Sequence, residues 1–237
     1  MIKLENTEVV GWEHAIRGMR NPMNSWDKSD SGIVFQDGYE DGIGYTRVYF
    51  KIGTNDLDLM KKLSKAGTDH RKFMRMITVY VDITAPMYFY KQLDTYKVGT
   101  VRNSCSTMHK ITDKEFTIDD FSCEYLIPSS MATLDNLIAD LNCLRDEYVN
   151  YDIKSNFRIE NDEQIVTKDV IWHNIIQLLP SSYNQKSTLM LNYEVLANIY
   201  YSRKNHKLDE WHELCRWIEN LPYSEIITGG NENVGMD

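Results

Sequence analysis

Hydrophobic positions along this chain recur with two periods, and each period predicts its own kind of element. Residues 76–83, MITVYVDI, form an apolar run rich in β-branched and aromatic side chains, which predicts a strand. Thr84 then stands where a helix cap belongs, with Pro86 early in the helix, where a missing N–H costs nothing. That helix carries Tyr88, Lys91 and Gln92 and runs into a polar, Gly-containing segment over 98–106. A second strand is predicted over 45–52 (YTRVYFKI). Helical spacing predicts helices over 12–17, 56–66, 131–151, 168–179, 187–203 and 208–221. Thr54 or Asn55 is placed to cap the second of these and Gly67 to end it, and Pro180 stops the fourth. Residues 21–44, rich in Asn, Asp, Ser and Gly, read as a long polar loop, as do residues 152–167. Residues 110–128 are mixed, with room for a short strand or hairpin. The resulting class is α+β, a central antiparallel or mixed sheet wrapped by helices, in one domain over 1–228. The polar stretch 229–237 reads as a mobile tail.

Composition narrows the partners. The 237 residues are 42% hydrophobic and 26% charged, ordinary values for a globular chain able to bury a full core. The cysteines Cys105, Cys123, Cys143 and Cys215 are widely spaced without a Cys-x-x-Cys pair, which suits a reducing cytoplasm. No apolar run approaches the roughly 18–20 residues that span a bilayer, and the first eight residues are too polar for a signal peptide. A net charge of −9 disfavours duplex nucleic acid, and Lys91, Lys97 and Arg102 make too small a basic patch to reverse that. His206 and His212 lack a ligand spacing, so no metal site is expected. Cys105 between two serines, near His109, is open to reading as a nucleophile or as an inert loop thiol.

Two stretches carry a resemblance to a known family. Gln92 on the predicted helix, Thr95-Tyr96-Lys97, and then Asn103 and Ser106 follow the order of a family signature. There, a helical Gln leads to an Arg-His-Arg triplet and a loop closing Ser-x-Arg-Tyr. Upstream, Asp69-His70 stand where the family has a Glu-His pair. Downstream, Leu179-Pro180, Asn192, Glu194, Asn198 and Arg203 follow the family's Leu-Pro turn and its helix with Asn-x-Arg, Asn and Arg. The match covers about residues 57–110 and 175–218 and resembles the flavin-dependent thymidylate synthases (the ThyX family).

The resemblance implies a homotetramer, FAD as cofactor and a nucleotide, dUMP, as substrate. It assigns His70, Tyr96, Lys97, Asn103, Asn192 and Asn198 to the cofactor and Gln92, Ser106 and Arg203 to the substrate. Arg203 is then also the catalytic cation that polarises the uracil. From the residues alone, the simpler readings are His70 as a solvated turn residue and Arg203 as a last-turn cation facing the helix dipole. Asn192 and Arg203, eleven apart, are expected to share a helical stripe. Of the triplet's basic groups only Lys97 remains, Met108 replaces the loop Arg, Glu194 replaces the helical Arg, and Ile176 replaces a phosphate-holding Arg. Each lost charge-assisted hydrogen bond is worth roughly 1.5–3 kcal/mol, so losing two weakens phosphate binding by about 10²–10⁴-fold. The expectation is a ThyX-like protein that binds a nucleotide or flavin-like ligand without normal turnover. The alternative left open is an active enzyme that converts dUMP to dTMP with methylenetetrahydrofolate and reduced FAD.

Overall fold

The computed structural model describes residues 2–40, 43–152, 157–158 and 165–229. The expected α+β class holds. Strand β1 (Lys3–Val10), which the largely polar run KLENTEVV hid from periodicity, leads through Gly11 into α1 (Trp12–Arg20). The expected loop over 21–44 is corrected. It contains two 3-10 turns, Asn21–Met23 and Trp26–Lys28, and then β2 (Gly32–Glu40), paired antiparallel with β3 (Ile43–Lys51).

Helix α2 (Thr54–Lys65) begins behind Gly53 with no local side-chain cap. Its first amides are satisfied from upstream: the Asp30 carboxylate accepts from Asn55 N–H at 2.9 Å and Asp56 N–H at 3.1 Å. Beneath it lies a buried ion pair. Arg20 donates to Asp56 at 2.6 Å, and Ser29 and Ser31 donate hydroxyl bonds to the other oxygen at 2.7 and 2.6 Å. Arg20 also donates to the Ser25 and Lys28 carbonyls, so one guanidinium fixes the path of the whole turn segment. Gly67 ends this region at φ 100, as expected.

Strand β4 (Thr78–Pro86) runs further than predicted, and α3 (Met87–Leu93) starts at Met87, so Thr84 is a strand residue and not a cap. The Met87 and Tyr88 amides donate instead to the Tyr183 and Ser181 carbonyls, both at 3.0 Å. Then come β5 (Val101–Ser104), α4 (Thr107–Lys110) and the long α5 (Pro128–Val149). The two-residue strands β6 (Phe157–Arg158) and β7 (Ile165–Val166) pair antiparallel. The rest of the polar stretch 152–167 is partly outside the described residues.

Helix α6 (Lys168–Leu178) stops before Pro180 as predicted. The predicted helix over 187–203 is corrected to β8 (Asn184–Asn192) followed by α7 (Tyr193–Arg203). Ser187, Leu189 and Leu191 are buried in alternation, a strand period that the leucine-rich sequence disguises. The chain closes with α8 (Asp209–Glu219) and α9 (Glu225–Thr228). Beyond Gly229 the expected mobile tail lies outside the described residues.

The strands β1, β4, β8 and β5 lie side by side in that order in a four-stranded sheet. The chain divides into two compact units: Met1–Lys3, Ile83–Thr95 and Asn103–Ser187 form one, and Leu4–Asp82, Tyr96–Arg102 and Thr188–Asp237 the other. The first has a core of Ile111, Phe116, Phe121, Leu134, Leu141 and Ile175, where α5 lies against α6. In the second, the 3-10 helix Arg71–Met76 sits among α1, α2 and α7, and Trp12 meets the Tyr193 and Tyr223 rings edge-on at 5.2 Å.

Candidate functional site

Six of the predicted site residues fall in the second unit, and α7 organises them. Its N-cap is Asn192, the last residue of β8, whose side-chain oxygen accepts from Val195 N–H at 3.0 Å. Asn192 thus stands just before the helix, with extended backbone, and Arg203 is the helix's last residue. The Asn192 amide also donates to the Gly99 carbonyl at 3.5 Å. Gly99 has φ 77, and a Cβ there would stand 2.3 Å from Asn192 Nδ2, so this approach requires glycine. Asn192→Ala is expected to cost about 1 kcal/mol through the lost cap, read as a lower urea midpoint with unchanged m.

Arg203 is half-buried. Its Nε donates to the Tyr96 hydroxyl at 2.9 Å, and the guanidinium stands over the Trp211 ring at 4.7 Å and the Tyr96 ring at 5.7 Å. The structure thus joins Tyr96 to Arg203, two residues 107 apart in sequence. Next to them, burial first, and then the charges of Arg203 and His212, push the His206 imidazole below its ordinary pKa, against the opposing pull of Glu210. Tyr96 opens the segment Tyr96–Arg102, which also holds exposed Lys97 and half-buried Thr100. The Thr100 hydroxyl is buried with no hydrogen-bond partner among the described residues. A buried polar atom of this kind is normally satisfied, here by water or by a ligand.

Glu194, which sequence reasoning set against phosphate binding, is buried and neutralised. It accepts from Arg75 in a short, charge-assisted contact and from Arg71 at 3.4 Å. Arg71 also donates to the Asn198 side-chain oxygen at 3.1 Å. These two arginines were missed by sequence reasoning. The available signal was Glu194 itself, a carboxylate within the run YEVLANI, since a buried carboxylate needs a cation. Two guanidinium charges against one carboxylate leave the cluster at a formal +1. His70 caps the 3-10 helix that carries both arginines, and its side chain is exposed. It helps line a cleft of about 690 Å³ with Met19, Leu59, Leu63 and Phe73, within the size range of small-molecule pockets.

The remaining predicted residues lie in the first unit. Gln92 is half-buried on α3, Asn103 is exposed on β5, and exposed Ser106 caps α4 by accepting from His109 N–H at 3.1 Å. Cys105 is exposed, and its amide donates to the Lys186 carbonyl at 2.9 Å. Among the described residues no three His, Cys, Asp or Glu side chains gather to hold a metal, and no helix is long and apolar enough to cross a membrane.

No protein-family model matches the chain, and no curated protein matches it by sequence. Solved structures do. Thymidylate synthase X from Helicobacter pylori, crystallised with FAD and dUMP, superposes with a TM-score of 0.60 at 14% identity, over 95% of this chain and 96% of that one. The UMP/dUMP methylase PolB from Streptomyces cacaoi, bound with 5-Br dUMP, gives 0.55 at 11% identity, over 96% and 94%. Identities this low speak to architecture, and they do so along nearly the full length of each chain. What the sequence resemblance implied for the scaffold is therefore met: this chain has the fold of the flavin-dependent thymidylate synthases.

Proposed function

We propose that this protein binds a nucleotide- or flavin-like small molecule on its ThyX-like scaffold without ordinary thymidylate synthase turnover. The observation that carries the reading is Arg203, bonded to Tyr96 and backed by Trp211, beside a segment whose Thr100 hydroxyl lacks a partner. A guanidinium held by aromatic rings suits a planar, hydrogen-bonding ring such as a uracil or an isoalloxazine. The ligands named for the structural neighbours, dUMP, FAD and 5-Br dUMP, belong to that chemical class.

The donors present fit a mononucleotide better than a dinucleotide. Lys97 is the one basic group left from the signature triplet, and the Arg71–Arg75 cluster spends part of its charge on Glu194. For FAD, the residues assigned to hold it are His70, Tyr96, Lys97, Asn103, Asn192 and Asn198. Of these, Tyr96, Asn192 and Asn198 already bond to Arg203, Val195 and Arg71. Gln92 and Ser106 remain assigned to the substrate. A cytoplasmic location and a homotetramer belong to the same reading.

Turnover is the second reading, and Arg71 and Arg75 favour it because they return positive charge close to the position of the lost helical arginine. In that reading a bound reduced flavin would supply the hydride, and Arg203 is the residue that would polarise the uracil. Titration of the purified protein with FAD, followed by absorbance and fluorescence, and with dUMP, followed by calorimetry, separates the outcomes. Binding of either ligand is expected, and Arg203→Ala should weaken it by about 10–10²-fold. A protein that binds neither, or a variant with unchanged affinity, overturns the reading. Formation of dTMP from dUMP, methylenetetrahydrofolate and reduced FAD selects the second.

A further inference from the structure

Leu59 and Leu63 stand one turn apart on α2, and neither is buried; the buried residues of that helix are Asp56 and Met60. Both leucines line the cleft of about 690 Å³ that His70 also lines, and every wall residue of that cleft comes from residues 18–73. Met19 of α1 and Phe73 form its deeper wall, 7% and 3% exposed, and Met23, 79% exposed, stands at its open side. The walls are fixed by the protein itself. Arg20, paired with Asp56, donates to the Ser25 and Lys28 carbonyls and so holds the turns that carry Met23 and Lys28. Walls already ordered lower the cost of filling the space between them.

We propose that this cleft binds a medium-chain aliphatic carboxylate, its acyl chain along Leu59 and Leu63 and its carboxylate at Lys28. Two properties of the lining select that class. The first is shape. Apart from Phe73 the apolar walls are aliphatic or thioether, and the Phe73 ring is too deeply buried to offer a face for stacking. Such walls suit a flexible chain better than a planar heterocycle. The second is charge. Arg20, Lys28 and Lys72 line the cleft against a single carboxylate, Asp69, a local positive excess on a chain of net charge −9. Arg20 is paired with Asp56, and Lys72 stands 3.4 Å from Asp69, so Lys28 is the cation left to meet an incoming carboxylate. The inference is independent of the ligand reading above. Of the residues assigned there, His70 alone lines this cleft, and neither α7 nor the segment Tyr96–Arg102 contributes to it.

The test is calorimetric titration of the full chain with octanoate, with octylammonium as the probe of opposite charge. Octanoate is expected to bind saturably at one site per chain, and octylammonium at least about tenfold more weakly. Lys28→Gln should weaken octanoate by about fivefold, the scale of an exposed ion pair. Leu63→Glu, which sets a carboxylate among the aliphatic walls, should abolish binding, with the thermal midpoint recording that the variant is folded. Arg203→Ala should leave octanoate affinity unchanged, so failure at one site is told apart from failure at the other. Absence of saturable octanoate binding overturns the proposal, as does octylammonium binding equally well or a Lys28→Gln variant of unchanged affinity. Displacement of octanoate by FAD also overturns it, by assigning the cleft to the planar cofactor.

Discussion

Asp56→Ala is expected to lower the unfolding free energy by about 3–5 kcal/mol at neutral pH, a large share of what a domain of this kind possesses. The substitution strands Arg20, which is 4% exposed, without its counter-charge. It also removes the acceptor for Ser29, Ser31 and the Asp30 and Ser31 amides. Replacing both ends of the pair, Arg20→Met with Asp56→Leu, should cost less than the single change, because no buried charge is then left unpaired. Urea unfolding of the three proteins checks this order. A single variant within 1 kcal/mol of the wild type would remove the pair from its assigned role.

The same pair sets a pH dependence. Burial alone would raise the Asp56 carboxyl, but hydrogen bonds from Ser31, Ser29 and Arg20, with the Arg20 charge, outweigh it and hold the group below the usual carboxylate range. A depressed folded pKa means that the unfolded chain binds the proton more readily. The wild-type advantage over Asp56→Ala is therefore complete above the unfolded value of about 4 and shrinks as the pH falls through the folded one. Unfolding at neutral pH and at successive acid steps reads this out as a narrowing gap.

The second large effect concerns Glu194. Glu194→Gln keeps the shape but removes the charge that Arg71 and Arg75 share, raising the formal charge of that cluster from +1 to +2. Affinity for dUMP is expected to rise about tenfold, while the thermal midpoint falls because a buried charge-assisted contact is lost. Opposite movements of affinity and stability are the signature of a residue that restrains a binding site. Calorimetry with differential scanning measures both, and unchanged affinity would show that the arginines do not face the ligand's anionic group.

Local signals in the sequence were enough for much of this fold. Pro180 stopped α6, Gly67 followed α2, and the leucines of α5 kept their period. The losses share one cause, namely partners distant in sequence. Asp30 caps α2 from 25 residues upstream, and Tyr183 and Ser181 receive the first amides of α3, so Thr54 and Thr84 misled a local reading. β8 hid in a leucine-rich run until burial revealed its alternation, which also moved Asn192 off the helix. For the site, Arg203 and Tyr96 were legible only through family resemblance, and their mutual bond was not. Arg71 and Arg75 were passed over because Glu194 was weighed as a free charge, although its apolar surroundings already demanded a counter-ion.

The upstream cap on α2 also bears on how the chain assembles. The turn that presents the Asp30 carboxylate is itself held by Asp56 of that helix, which accepts from the Asp30 and Ser31 amides, so turn and helix end each need the other. An excised peptide of the helix alone has no such group and is too short to hold itself in water. Nucleation of that helix is thus tied to closure of the preceding turn, and the two form as one cooperative unit.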